Sequence, residues 1–184
     1  MFPKYQKVYN FDIADNENYY VTEDGILVHN GYKDAVDDVN SGKTPLEGYE
    51  GHKVGNNTRK SNYGEMNTDL KMESITEIDG KPASLTALHE KITDIDTPIK
   101  QGIDHIYQNA TPPPKYVIVE SKYGSSTLNP KTKDGPQMSD DWIKGNNRLD
   151  KIVGKEKALE IKEVLDNGEV DRVLSKINTN GNVT

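Results

Sequence analysis

The stretch Tyr116-Val117-Ile118-Val119-Glu120-Ser121-Lys122 places a carboxylate and an amine two positions apart at the end of an apolar run. In an extended chain residues i and i+2 share a face, so Glu120 and Lys122 point the same way. Taken alone, that spacing also describes a solvated edge pair worth ~0.2–1 kcal/mol. The nearly continuous apolar run before it argues instead for a strand buried on both faces, with its charged end at a site. Two further carboxylates lie within reach in principle. Asp104 stands in Gly102–Asn109 (GIDHIYQN), and Glu65 in Ser61–Asp69 (SNYGEMNTD). Carboxylates converging on one place repel each other, and a hard divalent cation taking oxygen ligands is the simplest remedy. Such an ion activates water and stabilises charge on a phosphoryl oxygen, and a neighbouring lysine steadies the same charge. These are the parts needed for metal-assisted phosphodiester hydrolysis, of DNA or of RNA.

Elements must position these groups. Gly102–Asn109 alternates Ile103 and His105 with Asp104 and Ile106, which predicts a strand. Thr111-Pro112-Pro113-Pro114 cannot pair in a sheet and so connects it to the apolar strand as a hairpin. Tyr63, Met66 and Leu70 recur at helical spacing, with Ser61 as the expected N-cap and Glu65 beside the stripe. Asp69, one turn later, is the fallback for the helix carboxylate. Residues 75–100 are ambiguous. Lys131 to Ser139 reads as a polar loop, and Trp142 as a core anchor. Ala158, Ile161 and Leu165 predict a helix stopped at Asn167-Gly168. Val170, Val173, Leu174 and Ile177 repeat the spacing, which predicts a second helix. His52, His89 and His105 are read as surface or packing histidines, with metal ligation as the alternative.

Composition sets outer limits. The 184 residues suggest one domain or a small domain plus an extra piece. Apolar content of 33% and a mean hydropathy of -0.84 predict a modest core. With no cysteine, disulfides, thiolate metal sites and cysteine nucleophiles are excluded. No apolar run approaches the ~20 residues that span a bilayer, and no signal-like segment follows Met1. The net charge of -7 is concentrated in residues 1–50, leaving 51–184 near neutral. Residues 1–30 alternate like short strands with turns between them. Residues 31–60, rich in Gly, Asn, Lys and Thr, read as linker, with a turn of helix at Asp34–Val39.

Two resemblances extend this reading. Tyr9 to Asn30 (YNFDIADNENYYVTEDGILVHN) resembles the last strands of a Hint domain of the intein and hedgehog class, with Val28-His29-Asn30 as its closing signature. The family's N-terminal nucleophile is missing, and Gly31 stands where an intein has Cys, Ser or Thr. The resemblance therefore implies an inactive remnant over 1–30, a linker over 31–60 and a toxin domain over 61–184. In that last part SNYGEMNTD, GIDHIY, VIVESKYG and KDGPQMSDDWI, in this order, resemble the C-terminal nuclease module of contact-dependent growth inhibition and related polymorphic toxins, of the PD-(D/E)XK superfamily.

That resemblance implies an α/β fold with a mixed central sheet flanked by helices. It implies Glu65 as helix carboxylate, Asp104 as central metal ligand, Glu120 and Lys122 as the (D/E)-x-K pair, and Gln137 as a supporting glutamine. Some relatives carry serine at the place of Glu120 and ligate through a backbone carbonyl, so Ser121 joins the expected ligands of a divalent ion (Mg2+, Mn2+ or Zn2+). Lys131, Lys133, Lys144 and Arg148 are candidates for phosphate contacts. The implied activity is DNA cleavage in the cytoplasm of a competing bacterium. Delivery would be by a larger secreted or cell-surface protein, and a cognate immunity protein would block the activity. The alternatives are an RNase toxin and a non-catalytic protein-binding module.

Overall fold

A computed structural model describes residues 31–48 and 54–184. Before them it describes only two short strands, β1 (Tyr19–Tyr20) and β2 (Leu27–Val28), paired antiparallel. The rest of the Hint-like stretch, and His52, lie outside the described residues.

The expected linker holds structure. Helix α1 (Gly31–Asn40) buries Tyr32 and Val36 against Tyr63, Met66, Ile95 and Ile177. Helix α2 (Asn56–Glu73) starts five residues before Ser61, and Gly55 rather than Ser61 is its N-cap. The extra turn has no apolar stripe to betray it. Arg59, 3% exposed, holds it by an ion pair to Asp96 at 2.8 Å and a hydrogen bond to the Pro45 carbonyl.

A small hairpin, β3 (Glu77–Ile78) and β4 (Lys81–Pro82), follows α2. The central sheet contains β5 (Leu85–Ala87), β6 (His105–Asn109), β7 (Tyr116–Tyr123) and β8 (Val170–Ile177), in that order. Strands β5, β6 and β7 are antiparallel, and β8 runs parallel to β7, giving a mixed α/β sheet. Short helices α3 (Asp140–Lys144) and α4 (Arg148–Val153) and the longer α5 (Lys155–Asp166) lie between β7 and β8.

β7 is buried on both faces, as its apolar run required. Tyr116 and Ile118 join Ile106, Trp142, Leu149 and Ile161 in the main core beside α3–α5. Val117 and Val119 join Tyr107 and Met72 on the α2 side. The strand expected over Gly102–Asn109 begins only at His105, and Asp104 stands at its entry.

The last segment corrects the sequence reading. Val170–Ile177 is a strand, not a second helix, and pairs with β7 over its whole length, from Tyr116↔Val170 to Tyr123↔Ile177. The i, i+3 pattern there is misleading, because Val173 and Leu174 are each 38% exposed while Ser175 is buried. An otherwise open β7 edge outweighs the local periodicity, and the β-branched Val170, Val173 and Ile177 suit a strand.

Candidate functional site

The β6–β7 register sets His105 opposite Val119. One step further along the same ladder, Asp104 comes opposite Glu120. The Ser121 backbone N–H donates to Asp104 Oδ2 at 2.9 Å and fixes that carboxylate. On the same face of β7 the Lys122 ammonium donates to Glu120 Oε1 at 2.6 Å. Gln137, from the loop before α3, donates its side-chain N–H to the same oxygen, while its own Oε1 accepts the Asn129 backbone N–H at 3.0 Å. Glu65, from α2, shares a cavity of about 470 Å3 with Asp104, and His89, Lys91, Lys100 and Lys151 also line it. Thus Glu65, Asp104, Glu120, Lys122 and Gln137, drawn from four separate segments, come together.

Their electrostatics are unbalanced. Burial pushes the Glu65 carboxyl up to about 9, and the charges of Asp104, Asp69 and Glu120 add to the rise, against a smaller lowering by Lys122. Burial likewise pushes Glu120 up to about 8, with Asp104 the next cause, against lowering by Lys122. Glu120 Oε2 is buried without a hydrogen-bond donor among the described residues. The Asp104 carboxyl stands close enough to Glu120 to raise it by repulsion. A divalent cation would satisfy the orphan oxygen and offset the repulsion among the carboxylates together. By this measure the residues fit a hard metal ion.

Ser121 contributes differently from expectation. Its hydroxyl turns to the other face of β7 and bonds Thr68 Oγ1 at 2.8 Å and His105 Nε2 at 2.7 Å, so only its backbone serves the carboxylates. Strand alternation dictates this, since i and i+1 point to opposite faces. Of the expected phosphate contacts, Lys131 and Lys133 are exposed in their loop. Lys144 is paired with Asp166. Arg148 is a structural cation: it is 9% exposed, stacks over the Trp142 ring at 4.5 Å, and bonds Asp134 at 2.9 Å and the Trp142 carbonyl at 2.6 Å.

A second polar cluster, which the sequence reading does not assemble, lies on the α2 side of the sheet. Asp69 Oδ1 sits 2.9 Å from His89 Nε2 and 3.1 Å from His105 Nδ1, and Tyr107 donates its hydroxyl proton to the same oxygen. The two imidazole nitrogens are 3.2 Å apart. Burial pushes the Asp69 carboxyl up, but hydrogen bonds from His105 and His89 outweigh it and hold the group well below the usual range. Asp69, His89 and His105 thus bring three atoms of metal-ligand type within 4.8 Å of one another. In the sequence both histidines read as packing residues. The available signal is position: His105 follows Asp104, and Asp69 follows Glu65 by one helical turn.

No helix among the described residues is long and apolar enough to cross a membrane. Compared with protein-family models, curated proteins and solved structures, the chain matches none.

Proposed function

We propose that this chain is the effector domain of a bacterial toxin that hydrolyses DNA phosphodiester bonds with a divalent metal, on a PD-(D/E)XK-like core. A cognate immunity protein would neutralise it. The carrying observation is the Glu120–Lys122 pair beside Asp104 and Glu65, with Glu120 Oε2 buried and donorless. The order of the elements that build the sheet supports the same reading: helix α2, three antiparallel strands, helices α3–α5, then a strand parallel to the third.

Glu65, Asp104 and Glu120 would hold the ion. When bound, it supplies Lewis-acid stabilisation of the phosphate and a more acidic water. The chain's own groups do the rest. Lys122 sets a cation where negative charge builds in the transition state, and the Glu120 contact at 2.6 Å limits its positions. Gln137 and Lys122 together fix Glu120 Oε1, leaving Oε2 for the ion. The Ser121 N–H orients Asp104.

Incubating the purified chain with supercoiled plasmid and, separately, with total RNA tests the reading. Plasmid nicking with Mg2+ or Mn2+ is expected, lost with chelator and with Asp104→Ala or Lys122→Ala. Degradation of RNA alone would move the substrate to RNA. Degradation of neither, with any divalent ion, would leave a binding module.

A further inference from the structure

We propose that Asp69, His89 and His105 form a binding site for one zinc-class transition-metal ion, separate from the oxygen-lined site of Glu65, Asp104 and Glu120. The inference stands whether or not the chain cleaves nucleic acid.

Distances come first. Asp69 Oδ1, His89 Nε2 and His105 Nδ1 are 2.9, 3.1 and 3.2 Å from one another. Ligands about 2.0–2.1 Å from a tetrahedral zinc are separated by about 3.3 Å, so the triangle has the right size within a few tenths of an ångström. Its members come from three elements of the fold, α2, the segment after β5 and β6, and they meet without help from a loop tip.

The hydrogen-bond inventory accommodates such an ion. A neutral imidazole carries one N–H and one lone pair. His105 Nε2 has an acceptor of its own, Ser121 Oγ at 2.7 Å, whereas His89 Nδ1 lies 3.2 Å from both the Ile106 carbonyl and the Ile106 backbone N–H. The His105 proton then sits outside and its Nδ1 lone pair faces inward, and a His89 protonated at Nδ1 toward the Ile106 carbonyl turns its Nε2 lone pair to the same centre. Without an ion, His89 Nε2–H is the inner imidazole donor and shares the Asp69 oxygen with the Tyr107 hydroxyl, so loading the site needs only a change of tautomer at His89. Outer-shell acceptors of this kind are what orient metal-binding histidines.

Donor type sets the metal class. Two imidazoles and one carboxylate suit zinc, cobalt or nickel, whereas magnesium and calcium prefer oxygen ligands throughout. Asp69 and His105 are each 1% exposed, and His89 lines the cavity beside Glu65, which gives the ion an entry path. Tyr107 then acts as a hydrogen-bond donor to Asp69.

Titration of chelator-stripped full chain with Co2+, then Zn2+, tests the site. One equivalent of Co2+ with tetrahedral visible absorption is expected, displaced by Zn2+ and not by excess Mg2+. Zinc should raise the melting temperature by roughly 5–10 °C at a hundredfold excess over Kd. His89→Gln should weaken zinc at least roughly a hundredfold, while Glu120→Gln should keep the full equivalent and its spectrum. X-ray absorption of the zinc-loaded unsubstituted chain should find two imidazole nitrogens on the metal, which keeps the proposal testable if His89→Gln folds poorly. An all-oxygen shell, an octahedral cobalt spectrum, no zinc affinity above that for Mg2+, or unchanged binding in a well-folded His89→Gln chain would each overturn it.

Discussion

Two polar clusters share α2 and the same strands, and they are opposites. Around Glu120, like charges gather with too few partners, and Glu120 Oε2 has no donor. Around Asp69, the Tyr107 hydroxyl and two imidazole nitrogens converge on one oxygen, and the network continues through Ser121 and Thr68 to Ser175. Three pairs of near neighbours in sequence divide between them: Glu65 and Asp69, Asp104 and His105, Glu120 and Ser121. Two of those pairs are one residue apart on β6 or β7, where a single step crosses the sheet. One short set of positions thus builds both a charge-frustrated cavity and a buried polar support. A cavity short of positive charge is poised to recruit it, whereas a satisfied buried network holds elements in place.

If that division is right, substitutions on the two sides should fail in different ways. Lys122→Ala and Asp104→Ala should cut plasmid cleavage by about a thousandfold or more and shift thermal unfolding little. A comparable fall in cleavage that comes only with unfolding would erase the distinction. Asp69→Ala should do the reverse first. It strips Tyr107, His89 and His105 of their common partner in a buried place, at a cost of about 3–5 kcal/mol, read as a shift in the denaturation midpoint. A chain that loses less than about 1 kcal/mol on Asp69→Ala would show the network to be slack.

The two faces differ in how far they can be read from sequence. The β6–β7 hairpin, the α2 stripe and α5 follow from periodicity, because their apolar residues face a core at regular intervals. Glu65, Asp104, Glu120 and Lys122 are accessible because residue types that can hold a metal stand on elements of clear type. The Asp69 cluster is not, since His89 lies in a stretch without periodic signal and a lone histidine carries no partner information. β8 escapes because its partner strand is some fifty residues away, and nothing local in VDRVLSKI records that β7 has an open edge. The first turn of α2 escapes for a similar reason: its anchor is an arginine reaching Asp96 and the Pro45 carbonyl.

Acidity offers a test in which the two clusters pull in opposite directions. Folded Glu120 and Glu65, raised to about 8 and about 9, hold protons that the unfolded chain releases near 4.5. Their contribution to metal-free stability is therefore fully present below about pH 4.5 and is lost as pH rises toward 8–9, at most about 1.4 kcal/mol per pH unit for each group. Asp69 is lowered, so its contribution is present above its unfolded value of 3.8 and is lost on further acidification. Denaturant melts across pH should show a maximum between these limbs. Glu120→Gln should flatten the alkaline limb alone and Asp69→Asn the acid limb alone, and saturating Mg2+ should flatten the alkaline limb of the unsubstituted chain. An alkaline limb untouched by either Glu120→Gln or Mg2+ would mean that the repulsion lies elsewhere.

The smallest expected effect concerns substrate approach. Lys131 and Lys133 are exposed on the loop that also carries Gln137, the residue that steadies Glu120. If DNA reaches the Glu120 side, this loop meets its backbone. The double substitution Lys131→Ala with Lys133→Ala should then raise Kd only a few-fold at low salt. It should also make the dependence of log affinity on log salt shallower by about 0.9 for each phosphate no longer neutralised. Fluorescence anisotropy with the cleavage-deficient Lys122→Ala chain as background reads both quantities. An unchanged slope would make the loop a solvated surface and require the phosphates to be met by the cavity lysines, Lys91, Lys100 and Lys151. Of these, Lys91 and Lys100 are paired with Glu73 and Glu90, pairs that DNA would have to break. Alanine at those positions would then change the salt slope where Lys131 and Lys133 had not.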